Sequence, residues 1–232
     1  MKVIISIGGS ILAPAGVDVE SLKNFTKAIS DILKNKDIKM GIVIGGGKTA
    51  RNYISAARAS GASEFYCDLV GIDVTRINAR ILISALGELA HPEVPHDVVS
   101  ASEIISNTGK VMVMGGTHPG HTTDAVSAML AENVGADLLV IATSTDYVYD
   151  SDPHLNKDAK RIEKLSYDRL IEITGMCEMS AGSSTVVDLL ASKIIKRSKI
   201  KTIVLDGRDG ENMKSAVLGG DFKGSVISGD YL

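Results

Sequence analysis

Short apolar runs alternate with stretches of helical period along this chain. Lys2–Ile7, Lys39–Ile44, Lys110–Met114, Asp137–Ala142 and Ile200–Leu205 have the length and composition of buried strands. Between them, Val19, Leu22, Phe25, Ile29 and Leu33 recur at helical spacing and predict an amphipathic helix over 19–34. Val70, Val74, Ile77, Ile81 and Ala85 predict a long helix over about 64–89. Thr122-Thr123-Asp124 caps a further helix carrying Val126, Met129, Leu130 and Val134. Another helix follows from Lys48, and more are expected at about 167–174, 185–197 and 211–218. His91-Pro92 to Pro95 reads as a breaker region, and 146–165 as turns and short strands. Strands alternating with helices imply an α/β fold, a three-layer α/β/α sandwich around a largely parallel sheet. A change of rhythm after about residue 135 divides it into two lobes, 1–135 and 136–232, on one shared sheet.

Composition narrows the function. The chain has 232 residues, 44% hydrophobic and 23% charged, which suits one large domain. A net charge of −3 argues against a general nucleic-acid binder, and 4% aromatics without Trp argue against a base-stacking platform. No apolar stretch approaches the roughly 18 residues of a membrane span. Two cysteines, Cys67 and Cys177, frame neither a disulfide scaffold nor a zinc site. The start runs straight into a strand with no signal pattern, so a reducing cytoplasm is expected.

The 23 glycines matter more, because three clusters follow strands: Gly8-Gly9-Ser10, Gly45-Gly46-Gly47-Lys48 and Gly115-Gly116-Thr117-His118-Pro119-Gly120-His121-Thr122. The carboxyl ends of parallel strands form the ligand crevice of open α/β sheets. Glycine there lets backbone N–H groups approach an anion, and a following helix N-terminus adds positive charge. Each cluster alone reads more readily as a tight turn; the three together favour an anion site. A P-loop would need glycine at position 42, which is Ile42. Gly45-x-Gly47-x-x-Ala50 fits the dinucleotide fingerprint, with Asp68 at about the right distance but in a helical pattern, so a nicotinamide-dependent enzyme is the runner-up. His118 and His121 read as loop histidines near an anion rather than a metal pair. Lys48, in a first helical turn, is placed to meet a phosphate as a point charge. Asp124 is either a helix N-terminal carboxylate or a site residue.

Taken together these segments resemble the amino acid kinase family, and within it the archaeal-type uridylate kinases. The match runs in order through Ile7-Gly8-Gly9-Ser10, Gly45-Gly46-Gly47-Lys48 with Arg51, Gly71-Ile72 with Thr75-Arg76 and Asn78-Ala79, then Gly115 to Ala125, Ala142 to Pro153 and Ala181-Gly182-Ser183-Ser184. The string from Gly115 to Ala125 is the most specific. The resemblance implies that ATP phosphorylates UMP with Mg²⁺, in a homohexamer built as a trimer of dimers. It implies UMP contacts at Gly46, Asp68, Gly116, Thr117, His118, Pro119, Gly120, His121 and Thr122. It implies ATP contacts at Gly9, Ser10, Gly47, Arg51, Thr143, Ser144, Tyr149 and Asp152. Lys48 and Asp124 are the catalytic candidates, Asp124 orienting Lys48.

Two departures stand out. Ser6 occupies a place where many members carry lysine, which leaves Lys48 to serve the transferred phosphoryl. Tyr147 stands where the nucleotide loop commonly has glycine, a costly exchange if that position needs a positive φ. The alternatives are another small-molecule kinase of the family and a non-catalytic nucleotide sensor on the same fold.

Overall fold

In the computed structural model, which describes residues 1–12, 18–34, 37–151, 153, 156–178 and 186–229, the apolar runs become strands. In chain order they are β1 (Lys2–Ile7), β2 (Lys39–Ile44), β3 (Met112–Met114), β4 (Leu138–Thr143), β5 (Val148–Tyr149), β6 (Arg161–Ile162), β7 (Lys164–Leu165), β8 (Thr202–Asp206) and β9 (Ser225–Ile227). The main sheet has the order β3-β2-β1-β4-β8-β9-β7, while β5 and β6 pair separately. β1 runs parallel to both neighbours, with Ile7 opposite Ile44 and Ala142. Two edge strands reverse: β9 pairs antiparallel with β8, and β7 runs parallel to β9. Strand order advances one way from β1 to β3 and the other way from β4 to β8. The topological switch point, where such sheets hold ligands, therefore lies between the carboxyl ends of β1 and β4.

The helices are α1 (Gly9–Leu12), α2 (Val19–Leu33), α3 (Gly47–Ala59), α4 (Glu64–Leu86), α5 (Val98–Asn107), α6 (Thr123–Val134), α7 (Tyr167–Glu178), α8 (Leu189–Ser198) and α9 (Gly210–Leu218). Period-two alternation sends Val3, Ile5 and Ile7 of β1 into one core, against Phe25 and Ile29 of α2, Leu82 of α4 and Met213 of α9. Ile4 faces the other core, with Ile105 of α5, Leu130 of α6 and Ile195 of α8. The expected three-layer sandwich is thus present. The same alternation turns Ser6 toward α6, the helix that carries Asp124.

The differences from the sequence pattern are local. α4 ends at Leu86, and Gly87–Leu89 forms a 3₁₀ turn. Its buried positions include Cys67, Ile72, Thr75, Asn78 and Leu82, while Ile77 is exposed. The helix is where the apolar spacing placed it, but its inner face is partly polar because it packs on glycine backbone. α5 lies just beyond the breaker region; its signal is Asp97, whose carboxylate accepts from Ser100 N at 2.8 Å as an N-cap. β7 and β9 are too short to carry a pattern of their own. Tyr147 adopts no positive φ, since Lys199 is the one non-glycine residue that does among those described. The Tyr147 side chain is buried, and the Arg161 guanidinium sits 5.2 Å over its ring. The cost expected of replacing glycine therefore does not arise.

Candidate active site

The first two glycine loops meet at the switch point. Gly8 N donates to Ala142 O at 2.9 Å, and Gly45 N donates to Ile7 O at 2.9 Å, so each loop leaves its strand still tied to the neighbouring one. A Cβ on Gly9 would lie 2.2 Å from Gly47 N and 2.4 Å from Gly45 O. Gly47 itself has φ +63°. Only glycine permits this backbone-to-backbone approach, which brings the N-termini of α1 and α3 together.

α4 fastens the second and third loops. Asn78 Nδ2 donates to Gly45 O at 2.9 Å. Thr75 Oγ1 donates to Ile72 O at 2.6 Å and accepts from Gly116 N at 2.7 Å. A Cβ on Gly115 would lie 2.4 Å from that same oxygen, which explains glycine at the end of β3. Asp68, two helical turns earlier, accepts from Gly120 N at 2.8 Å through Oδ2.

Between these elements lies a cleft of about 420 Å³. Its wall includes Gly46, Arg51, Asp68, Gly116, His118, Gly120, His121 and Thr122, with Ile54 and Ile72 as its apolar floor. The histidine rings are 6.2 Å apart, edge to face. Thr117 and Pro119 belong to the same loop but are not on this wall. Gly47 and Arg51, expected on the ATP side, share the wall with the residues expected to meet UMP. Arg51 and Lys48 are exposed on the first turns of α3, and neither has a hydrogen bond or ion pair among the described residues. Lys48 lies outside the wall of the cleft. Two unpaired cations at a helix N-terminus are disfavoured by the macrodipole, and a bound anion relieves that conflict.

Asp124 does not pair with Lys48. Its Oδ1 accepts instead from Ser6 Oγ at 2.7 Å, joining α6 to β1. The carboxyl is surrounded by protein without being fully sealed from solvent. Burial raises its pKa to about 6, the Ser6 hydroxyl opposes this, and the negative charge of Asp188 adds to it.

Thr143 and Ser144 continue from β4 on the far side of the switch point. Gly207 N donates to Thr143 O at 2.8 Å. Arg208 donates to Ser144 O at 3.1 Å while gripping Asp206 in a fork. Tyr149 lies on β5, its hydroxyl donating to Asp146 at 2.9 Å. Gly9 and Ser10 open α1 between the two sides. Asp152 and the segment 181–184 lie outside the described residues. Arg208 and Asp188 carried no signal of their own in the sequence. Thr75 and Asn78 stood in a recognisable segment, but their job of holding glycine loops depends on contacts between distant elements.

The sequence profile of the amino acid kinase family matches residues 1–206 of the chain. The chain belongs to the amino acid kinase family. Among its relatives in that family, a uridylate kinase of Methanococcus maripaludis is 51% identical over 98% of this chain and 100% of its own. A uridylate kinase of Methanocaldococcus jannaschii is 47% identical, covering 99% of this chain and 100% of its own. The crystal structure of the uridylate kinase from Archaeoglobus fulgidus superposes with a TM-score of 0.87 at 45% identity, covering 98% of this chain and 100% of that one. A UMP kinase from Bacillus anthracis, at 24% identity and a TM-score of 0.81, shares the fold, with 99% and 96% of the two chains covered.

Proposed function

We propose that this protein transfers the γ-phosphoryl group of ATP to UMP, giving ADP and UDP. The observation that carries the reading is the cleft at the carboxyl ends of β2 and β3. There a carboxylate (Asp68), a guanidinium (Arg51) and the glycine–histidine loop converge on a space of about 420 Å³, within the range of small-molecule sites. Full-length likeness to uridylate kinases supports it. Residues 1–135 would hold the acceptor and 136–232 the donor nucleotide.

An oxygen of the UMP phosphate attacks the γ-phosphorus in line while the bond to the ADP oxygen breaks. That oxygen is already deprotonated, so no general base is required, and catalysis is positioning plus charge neutralisation. Arg51, Lys48 and the N–H groups opening α1 and α3 supply positive charge where two anions must meet. In the acceptor cleft, one Asp68 oxygen holds Gly120, and the other is left to accept from the ribose hydroxyls. His118, His121 and the backbone from Gly116 to Thr122 enclose the base and phosphate. Gly9, Ser10 and Gly47 serve the ATP phosphates, and Thr143, Ser144, Tyr149 and Asp152 its adenosine. Asp124, held by Ser6, fixes α6 against β1 beneath the reacting groups.

Mg²⁺ bound to ATP would supply further charge neutralisation. Among the described residues no three His, Cys, Asp or Glu side chains group to hold a metal. That donor set fits an ion carried mainly on triphosphate oxygens with a single carboxylate, for which Asp124 is available. The protein would work in the cytoplasm as a homohexamer, which would cover the exposed Phe65, Tyr66 and Ile77 of α4.

The test is UMP-dependent formation of ADP from ATP and Mg²⁺ by the purified chain, with CMP and acetylglutamate as competing acceptors. UDP formation with UMP preferred is expected. Binding of both nucleotides without UDP would indicate a sensor, and preference for another acceptor would overturn the substrate.

A further inference from the structure

Among the described residues, one side-chain bond joins the acceptor loop to the other half of the chain. Thr122 Oγ1 accepts from Ala125 N at 3.0 Å, closing the first turn of α6, and donates its proton to Asp188 Oδ2. Asp188 Oδ1 accepts from Ala191 N at 2.9 Å, closing the first turn of α8. The N-terminal caps of two adjacent helices are therefore bonded to each other. α6 and α8 pack through Leu130, Ala131, Ala191 and Ile195 in one core, so the caps cannot move independently. Val187, just before Asp188, is also fully packed.

A residue serving only as the cap of α8 needs one oxygen. The second oxygen of Asp188 goes to a residue on the wall of the acceptor cleft. Thr122 ends the loop that begins at Gly116, and side chains of the described residues hold that loop at Gly116 through Thr75, at Gly120 through Asp68, and at Thr122 through Asp188. The first two anchors come from α4. The third comes from across the switch point.

We infer that Asp188 is a positioning residue for the acceptor, which through Thr122 fixes the 116–122 loop against α8 so that UMP affinity depends on a side chain of the donor half. This rests on the UMP kinase reading. A hydrogen bond to a charged carboxylate is among the stronger kinds, and losing it loosens one end of the binding loop.

Asp188→Asn separates the two duties. Asparagine caps a helix about as well as aspartate, but its second atom is an NH₂ donor and cannot accept the Thr122 proton. Steady-state kinetics, with UMP and ATP varied separately, are measured for the wild type, Asp188→Asn, Thr122→Val, Thr122→Ser and the Asp188→Asn/Thr122→Val double variant. UMP binding by calorimetry and thermal unfolding accompany each. Asp188→Asn is expected to raise the KM and Kd for UMP about tenfold, the scale of one hydrogen bond to a charged group. The KM for ATP should stay within about twofold and the unfolding midpoint near that of the wild type. Thr122→Ser should keep UMP affinity, and the asparagine should add no further loss in the valine background. Unchanged UMP affinity in Asp188→Asn, an equal loss in the valine background, or a loss confined to ATP would each overturn the inference. A wild type that binds UMP without making UDP overturns the proposed reaction instead, and the calorimetric Kd then decides the role of Asp188. A wild type that does not bind UMP overturns both.

Discussion

Asp124→Asn offers a quantitative probe of the site. The Asp124 carboxyl has its pKa raised by burial from the ordinary 3.8 to about 6. The folded protein therefore holds this proton over a pH range in which the unfolded chain has released it. Stability carried by the group is full below about pH 4 and is lost as pH rises through about 6, the reverse of a carboxylate stabilised by a cation. The interval between 3.8 and about 6 corresponds to about 3 kcal/mol, an upper figure because part of the group meets solvent. Asparagine keeps an oxygen to accept from Ser6 and carries no charge to desolvate. Relative to the wild type, the variant should be nearly equal in stability at pH 4 and more stable by about 1–3 kcal/mol at pH 8. Urea unfolding of both proteins from pH 4 to 8, at fixed protomer concentration, measures this difference. Every other titrating group is common to the two and cancels. A difference that stays flat with pH would refute the raised pKa. A loss of kcat alongside the gain in stability would show that the buried charge is retained for activity.

Other substitutions test the remaining parts. Lys48→Ala should lower kcat by about two orders of magnitude or more with little change in the KM for UMP, as expected for a cation acting on the transferred phosphoryl; a near-normal kcat would exclude it. Asp68→Asn should raise the KM for UMP and leave that for ATP alone, since it loosens Gly120 and removes a charge from the acceptor cleft; a change confined to ATP would reverse the two halves. Gly9→Ala forces a methyl against Gly47 N and Gly45 O, so chemical denaturation should register a loss of about 3 kcal/mol or more. Native stability in that variant would mean the two loops can part without cost.

The apolar pattern was enough to place β1, β2 and β4, the helices that alternate with them, and the three-layer arrangement, because buried strands and amphipathic helices write their burial directly into side-chain type. The glycine clusters pointed to strand ends for a related reason: a backbone that must approach another backbone excludes a Cβ. α4 shows where the code fails. Its inner face holds Thr75 and Asn78 because its neighbours there are the peptide groups of glycine loops, and its apolar Ile77 is left exposed. Apolar spacing identified the helix, but its stripe is offset from the buried face: Val74 is buried and Ile81 packs on the core, whereas Ile77 is exposed. α5 was missed because prolines precede it and its cap, Asp97, is a single residue.

Sequence by itself determined the fold class, the three glycine loops and the family, since each is set by residue type at short range. Tertiary structure decided the pairings. Asp124 meets Ser6 rather than Lys48 because alternation along β1 turns Ser6 toward α6. Asp188 reaches Thr122 because α8 packs beside α6, 66 residues away in the chain. Contacts of that kind depend on which elements the sheet order makes neighbours, and local patterns hold no record of it.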